Sequence, residues 1–240
     1  MDSESVLKII LLTTAAGICI PIGGWVASFE RVHSQWLERE LRHFIIAFGG
    51  GILLGAVTIV LVPEGINNMH DSLWSIPVIL SGGLIFFGVE RLMGSHNNES
   101  PQLMGMILDY IPEAIALGGL MALNPASGPL LALLIGLQNL PEGFNAYREL
   151  KHHNKHDNVL LKMAGLVILG PIAGLVGYWF LSEHQSLLGA IMLFASGGIL
   201  YLIFQDIAPQ SKLEKHWAPP LGAVLGFCLA LFGHLLMATH

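Results

Sequence analysis

The sequence has few charged residues for its length. Asp, Glu, Lys and Arg make up 12% of its 240 residues, about half the share found in an average soluble protein. Only 11 Lys and Arg stand against 17 Asp and Glu, and no basic arm is present that would bind nucleic acid. The two cysteines, Cys19 and Cys228, lie in separate apolar runs, so neither a disulfide framework nor a CxxC metal site is expected. These shortages argue against a soluble globular domain and against nucleic acid as a partner.

Long hydrophobic runs take the place of the missing charge. Hydrophobic residues make up 53% of the chain, and a transmembrane helix needs about 20 consecutive, mostly apolar residues. Eight runs of that kind, joined by short polar connections, predict an all-α polytopic membrane protein with a single transmembrane domain over residues 1–240. The predicted spans are 6–28, 43–65, 74–93, 102–123, 128–149, 159–181, 186–207 and 217–238.

The basic residues are distributed unevenly between the two sides of these spans. Ten of the 11 fall in or beside the first, third, fifth and seventh connections, and only Lys8 lies outside this pattern. Cytoplasmic connections carry the excess of Lys and Arg in membrane proteins. Both termini are therefore predicted to lie outside the cytoplasm, in a protein of the cell (inner) membrane. The ten residues are Arg31, Arg39, Arg42, Arg91, Arg148, Lys151, Lys155, Lys162, Lys212 and Lys215.

Two spans share a pattern that indicates an internal repeat. The second, FGGGILLGAVTIVLVPEG, and the seventh, ASGGILYLIFQDIAPQ, both begin with paired glycines, continue with apolar residues and end in an acid and a proline. Because these two spans run in opposite directions, spans one to three and six to eight are expected to form an inverted pair around spans four and five. Inverted repeats are common in transporters, which place the substrate site near the bilayer midplane. The paired glycines are expected at close helix contacts.

Spans four and five carry polar side chains at helical spacing. Asp109 and Glu113 are four residues apart, as are Gln138 and Glu142, so each pair lies on one face of its helix. A charge at the centre of a span costs at least about 2.5 kcal/mol on insertion scales. No basic residue lies deep in any span, so the sequence predicts that a bound cation neutralises these carboxylates.

Two prolines support the prediction of a bound cation, but several polar residues nearby have more than one possible role. Pro112 and Pro141 each remove a backbone N–H within spans four and five, and the carbonyls released in this way could line a cation path. Asp109 and Gln138 could instead hold the helices together by hydrogen bonds. Asn139 and Asn145 are lining or packing residues, and the sequence does not choose between these roles.

The two motifs resemble those of the ZIP family of divalent-metal transporters. Its fourth and fifth spans usually read His-Asn-x-Pro-Glu-Gly and His/Gln-Asn/Asp-x-Pro-Glu-Gly. This chain has Asp-Tyr-Ile-Pro-Glu-Ala over 109–114 and Gln-Asn-Leu-Pro-Glu-Gly over 138–143. The resemblance covers the whole chain and includes a second span ending in Leu-Val-Pro-Glu-Gly at 61–65.

The resemblance implies a 3+2+3 arrangement of eight spans, in which spans four and five hold the metal. By position, the metal ligands would be Asp109, Glu113, Gln138 and Glu142, with Asn139 beside them. Many members of the family have a second metal position next to the first. Its span-four Asn is Tyr110 here, and span six carries no acid, so one intramembrane metal position is expected.

The chain departs from the family in having Asp109 at the position of a histidine. The resulting ligands are three carboxylates and an amide. Zinc and copper favour imidazole and thiolate ligands, whereas carboxylate and amide oxygens suit manganese, iron(II), magnesium or calcium better. Zinc and iron remain the substrates that the family implies, but the ligands favour a harder or broader range of metals.

Further candidates lie outside the two motifs. Glu64 could gather cations at the outer entrance or be an ordinary solvated acid, and Asp206 could line the exit. The connection holding His152, His153 and His156 could bind a transition metal weakly, and a plain solvated turn is an equal alternative.

The sequence as a whole predicts a membrane transporter that moves a divalent metal (zinc, iron or manganese) into the cytoplasm without nucleotide hydrolysis. The metal is its substrate, no organic cofactor is expected, and the lipid bilayer surrounds it, with a homodimer left open as its assembly. The chain contains no His-Glu dipeptide and therefore no HExxH site, so no enzyme is expected. The alternative is a metal-binding or sensing relative of the family that does not transport.

Overall fold

The described residues form helices joined by short turns. The computed structural model of the protein describes residues 3–29, 35–94, 101–153, 158–212 and 218–238, and these contain no strand. Every predicted span overlaps a helix. The α-helices are α1 (Ser3–Phe29), α2 (Gln35–Gly55), α3 (Val62–Asn68), α4 (Ser75–Gly94), α5 (Pro101–Leu123), α6 (Gly128–His153), α7 (Val159–Leu166), α8 (Leu169–Leu181), α9 (Gln185–Leu202), α10 (Ala208–Gln210) and α11 (Leu221–Ala238).

Among the described residues, six helical stretches are long and apolar enough to cross a membrane. They are Ser3–Phe29, Glu40–Asn68, Ser75–Leu92, Gly105–Leu123, Val159–Leu181 and Gln185–Gln210. The apolar stretch of α11, Leu221–Leu236, is shorter, and α6 carries the polar residues of the second motif, which lower its hydropathy. Six such stretches fit a multi-pass membrane protein.

Two of the long stretches contain a π-helical turn just before a proline. The turn π1 (Ala56–Leu61) joins α2 to α3 ahead of Pro63, and π2 (Ile203–Ile207) joins α9 to α10 ahead of Pro209. A proline in a helix removes an N–H and crowds the carbonyl four residues earlier, and both of those carbonyls lie within the π turns. A wider turn accommodates the proline without ending the helix. At Pro112 and Pro141, in contrast, α5 and α6 continue as α-helices.

The helices pack in matched pairs. The most extensive contacts are those of α1 with α6, α5 with α8, α2 with α11, and α4 with α9. These four pairs are related by an exchange of α1 with α8, α2 with α9, α4 with α11 and α5 with α6. Under this exchange the α1–α6 pair becomes the α8–α5 pair, and the α2–α11 pair becomes the α9–α4 pair. The smaller pairs α2–α6 and α5–α9 exchange in the same way. An inverted internal repeat around α5 and α6 would produce this packing.

Glycines allow the paired helices to approach closely. A methyl group on Gly23 of α1 would collide with the carbonyl of Leu140 on α6, and one on Gly143 would collide with the carbonyl of Ile20 in return. Close backbone approach at small residues is the usual way in which helices associate in lipid. The expectation that glycine pairs lie at helix contacts is confirmed for Gly51, Gly82 and Gly197, which meet Ala223, Phe194 and Ile79.

Apolar side chains cover the outside of the bundle, whereas several of its buried side chains are polar. Trp25, Leu84, Phe180 and Phe232, on α1, α4, α8 and α11, are each at least half exposed. An apolar surface of this extent is costly in water and suits a lipid environment. The buried polar residues concentrate on α5 and α6.

Candidate metal site

The polar side chains predicted for the site are buried where α5 and α6 pack together. Asp109 is 4% exposed, and Glu113, Gln138 and Asn139 are fully buried. Glu142 is partly buried. Their spacing of one helical turn, combined with packing of α5 against α6, arranges them in successive layers along the two helices.

One layer consists of Glu113 and Gln138, which bind each other. The Gln138 side-chain nitrogen Nε2 donates hydrogen bonds to both carboxylate oxygens of Glu113, at 2.7 Å to Oε1 and 2.6 Å to Oε2. Bonds of this kind to a carboxylate are stronger than neutral ones. The amide therefore supplies part of the compensation that the sequence analysis assigned to a metal.

The next layer, toward the N-terminal end of α5 and the C-terminal end of α6, opens onto a cavity. The cavity measures about 70 Å³, enough for several water molecules, since one needs roughly 10–15 Å³. Helices α2, α5 and α6 and the segment from α9 to α10 enclose it. Its lining residues are Ile46, Gly49, Gly50, Gly105, Met106, Asp109, Pro141, Glu142, Asn145, Leu202, Asp206, Ile207 and Gln210.

Five buried oxygen atoms in this region lack a hydrogen-bond partner. They belong to Asp109 (Oδ1), Gln138 (Oε1), Asn139 (Oδ1), Glu142 (Oε2) and Asn145 (Oδ1). Leaving a buried acceptor unsatisfied costs about 1–3 kcal/mol. All five atoms are acceptors, so the group that would satisfy them is a cation or a set of donors.

The cavity lining offers no such cation within the described part of the chain, although the Nε of Arg42, a partly buried residue on α2, is itself buried. The described cavity lining contains no Lys, Arg or His, and no basic side chain is among the described buried residues. Any basic side chain that compensates these carboxylates would therefore have to act from outside the described cavity lining.

The acidic side chains do not form a complete ligand cluster by themselves. Over the described ranges, no group of three or more His, Cys, Asp or Glu side chains is arranged to hold a metal ion. The structure brings Asp109 and Glu142 to one cavity and pairs Glu113 with Gln138 in another layer. A metal at the cavity would therefore need amide oxygens or water in addition to these carboxylates.

Asn139 contacts a neighbouring helix. Its Nδ2 donates to the backbone carbonyl of Ala16 on α1, at 2.9 Å, while its Oδ1 has no partner. This hydrogen bond supports a packing role for Asn139, one of the two roles that the sequence left open. Asn145, whose role was equally open, lines the cavity, and its position three residues after Glu142 was the signal that could have identified it.

Tyr110 faces away from the cavity, between α1 and α8. Its hydroxyl donates to the carbonyl of Thr13 at 3.3 Å, and a methyl group on Gly17 or Gly170 would collide with that hydroxyl. The ring thus occupies a slot formed by two glycines. The Tyr110 hydroxyl is thus held between α1 and α8, away from the cavity lining.

Glu64 lies at the opposite end of the bundle from the cavity mouth. Its Oε1 accepts hydrogen bonds from Asn124 Nδ2 at 2.9 Å and from Ser127 Oγ at 3.0 Å. These contacts tie α3 to the connection between α5 and α6. The sequence analysis did not single out Asn124 or Ser127, because the pairing depends on tertiary packing across about sixty residues of chain.

Asp206, predicted near the exit, lies on π2 and lines the cavity. Close by in sequence, the Tyr201 hydroxyl donates to the carboxylate of Glu90 on α4. The connection predicted to bind metal weakly falls outside the described residues: His156 lies between 153 and 158, and the side chains of His152 and His153 are likewise not described.

Comparison with protein-family models and with curated proteins finds no match for this chain.

Proposed function

We propose that this chain is a transporter that moves a divalent metal cation, zinc, iron or manganese, into the cytoplasm through the site between α5 and α6. The observation that carries the proposal is the cavity at Asp109 and Glu142. Both carboxylates have an unpaired buried oxygen there, and the described lining offers no basic side chain. Uncompensated carboxylates in a low-dielectric setting are costly, and a mobile cation removes that cost.

The proposed topology has eight spans with both termini outside, which requires α6 and α11 to cross the membrane together with the six apolar stretches. In that orientation the connections rich in Lys and Arg lie in the cytoplasm. The cavity then lies on the cytoplasmic side of the Glu113–Gln138 pair, and Glu64 with Asn124 and Ser127 lies on the outer side. A midplane site reached from one side at a time is the arrangement of alternating access.

The proposed family is ZIP, on the strength of the paired motifs at 109–114 and 138–143. The matched helix pairs around α5 and α6 support the 3+2+3 arrangement that the family implies. The departure at Asp109 leaves the ligands with oxygen atoms alone, which favours manganese or iron(II) over zinc.

Uptake of Mn²⁺, Fe²⁺ and Zn²⁺ into proteoliposomes tests the function. The informative variant is the double replacement Asp109→Asn, Glu142→Gln, which removes both cavity charges with little change in shape. The matched control is Glu183→Gln, which removes an exposed carboxylate in the connection before α9. We expect uptake by the wild type and the control and at least about a hundredfold slower uptake by the double variant.

Equal uptake by the wild type and the double variant would refute the site. Saturable metal binding without uptake by the wild type would instead support the alternative, a metal-binding or sensing protein that does not transport.

A further inference from the structure

Asn145 presents an unpaired oxygen to the same cavity as the two carboxylates. The residue is only 8% exposed, its Oδ1 has no hydrogen-bond partner, and it lines the cavity with Asp109 and Glu142. On α6 it follows Glu142 by three residues, so both side chains lie on one face of the helix. A buried amide oxygen without a donor is rare in folded proteins, and this one belongs to a residue that shares a cavity with two carboxylates.

The Glu113–Gln138 pair differs from this set. Both Glu113 oxygens already accept bonds from Gln138, and neither residue lines the cavity. Three residues with an unpaired oxygen therefore line the cavity, whereas the occupied Glu113 carboxylate lies outside its lining. Carboxylate and amide oxygens are the ligands that hard divalent cations prefer.

We propose that Asp109, Glu142 and Asn145 form the binding site for the cation in this conformation, with Asn145 Oδ1 as a direct ligand and water completing the coordination. The site takes a hard divalent cation such as Mn²⁺. The proposal rests on the proposed function. It makes Asn145 the amide ligand of the metal, whereas the motif implies Gln138 in that role.

Equilibrium binding of Mn²⁺ to the full-length protein in detergent tests the assignment. Asn145→Leu keeps the size of the side chain and removes its oxygen, and it should raise the Kd for Mn²⁺ by about tenfold or more, equivalent to about 1.4 kcal/mol. Asn145→Asp restores an oxygen ligand and should bind at least as tightly as the wild type. Asn68→Leu makes the same replacement on α3 at the opposite end of the bundle, where the amide bonds to the Glu64 carbonyl, and should leave the Kd unchanged.

A second measurement reports ligation directly. In Asn145→Cys with Co²⁺, a thiolate ligand would give a sulfur-to-cobalt charge-transfer band that is absent from the wild type. Appearance of this band supports direct coordination even if Asn145→Leu folds poorly. A wild-type Kd in Asn145→Leu together with no such band in Asn145→Cys would overturn the assignment and would show that cavity water alone satisfies the Asn145 oxygen.

The two proposals fail in different ways. Mn²⁺ binding that depends on Asn145 without any uptake would overturn transport and keep the site. Uptake by the wild type that Asn145→Leu matches, with unchanged binding, would overturn the site and keep transport. Absence of saturable Mn²⁺ binding by the wild type would overturn the site.

Discussion

Two layers of the α5–α6 interface contain similar polar side chains that differ in their hydrogen bonding. In one layer, both oxygens of the Glu113 carboxylate accept short hydrogen bonds from the Gln138 side-chain nitrogen, while Gln138 Oε1 has no partner. One turn away, Asp109, Glu142 and Asn145 surround a cavity, and each has an unpaired oxygen. Polar residue type alone thus does not distinguish a carboxylate that accepts hydrogen bonds from an amide from one that borders a cavity.

This contrast has a physical cause in the packing of the neighbouring helices. Around Glu113 and Gln138 the interior is closed, so a buried carboxylate is tolerated because an amide reaches it. Around the cavity, a methyl group on Gly105 would meet open space, whereas Gly49 and Gly50 allow close packing against Pro141 and Ile207. The cavity next to Gly105 is where the proposal places the cation and its water, beside Asp109 and Glu142.

The largest expected effect comes from placing a fixed cation in the cavity. Glu142→Lys removes one carboxylate and brings an ammonium group beside Asp109, where it should pair with that acid and repel a metal. We expect Mn²⁺ affinity to fall by at least about a hundredfold. Glu142→Gln, which removes the charge without replacing it, should weaken binding less. Wild-type affinity in Glu142→Lys, measured by equilibrium titration, would show that the cavity does not hold the metal.

Replacing one amide in each layer should change the free energy of unfolding by different amounts. Gln138→Leu deprives the Glu113 carboxylate of its donor and should lower the free energy of unfolding by about 2–3 kcal/mol, since hydrogen bonds to charged groups contribute about that much. Asn145→Leu removes an oxygen that bonds to nothing and should change stability by less than about 1 kcal/mol. Unfolding of both variants in the same detergent measures the difference. Equal losses would mean that Asn145 also has a structural partner.

The pH dependence of Mn²⁺ affinity should show how many cavity carboxylates lose a proton when the metal binds. Metal ligands must be deprotonated, so Mn²⁺ affinity should rise with pH. If Asp109 and Glu142 both lose a proton on binding, the slope of log affinity against pH approaches about two at low pH. Asp109→Asn should reduce it by about one, while the exposed-site variant Glu183→Gln should leave it unchanged. A slope that Asp109→Asn does not alter would remove Asp109 from the ligand set.

Much of the helical organisation could be predicted from the sequence because long apolar runs leave few alternatives. The predicted span 128–149 lies within α6, Gly128–His153, and the predicted span 6–28 lies within α1, Ser3–Phe29. The π turns before Pro63 and Pro209 were not predicted. A proline predicts a disturbance in a helix, but the choice between a break and a wider turn depends on the helices packed around it.

The site could be predicted at the level of residues, but the roles of its atoms could not. Helical spacing identified Asp109, Glu113, Gln138 and Glu142, and the structure buries the first three fully or almost fully. Spacing could not reveal that the Gln138 nitrogen faces Glu113. That contact depends on how α5 and α6 are rotated against each other, which the pattern of a single helix does not fix.

The smallest expected effect concerns Tyr110, which follows Asp109 in sequence but faces α1 and α8 instead of the cavity. Tyr110→Phe removes the hydrogen bond to the Thr13 carbonyl and keeps the ring in the slot formed by Gly17 and Gly170. We expect a loss of about 0.5–1.5 kcal/mol in the free energy of unfolding, the usual contribution of a neutral hydrogen bond, with no change in the Kd for Mn²⁺. Unfolding and Mn²⁺ titration of the same preparation check both expectations. Adjacent residues on a helix point in directions about 100° apart, so Asp109 and Tyr110 lie on different faces of α5. A raised Kd in Tyr110→Phe would mean that Tyr110 contributes to metal binding and that these two faces do not have separate roles.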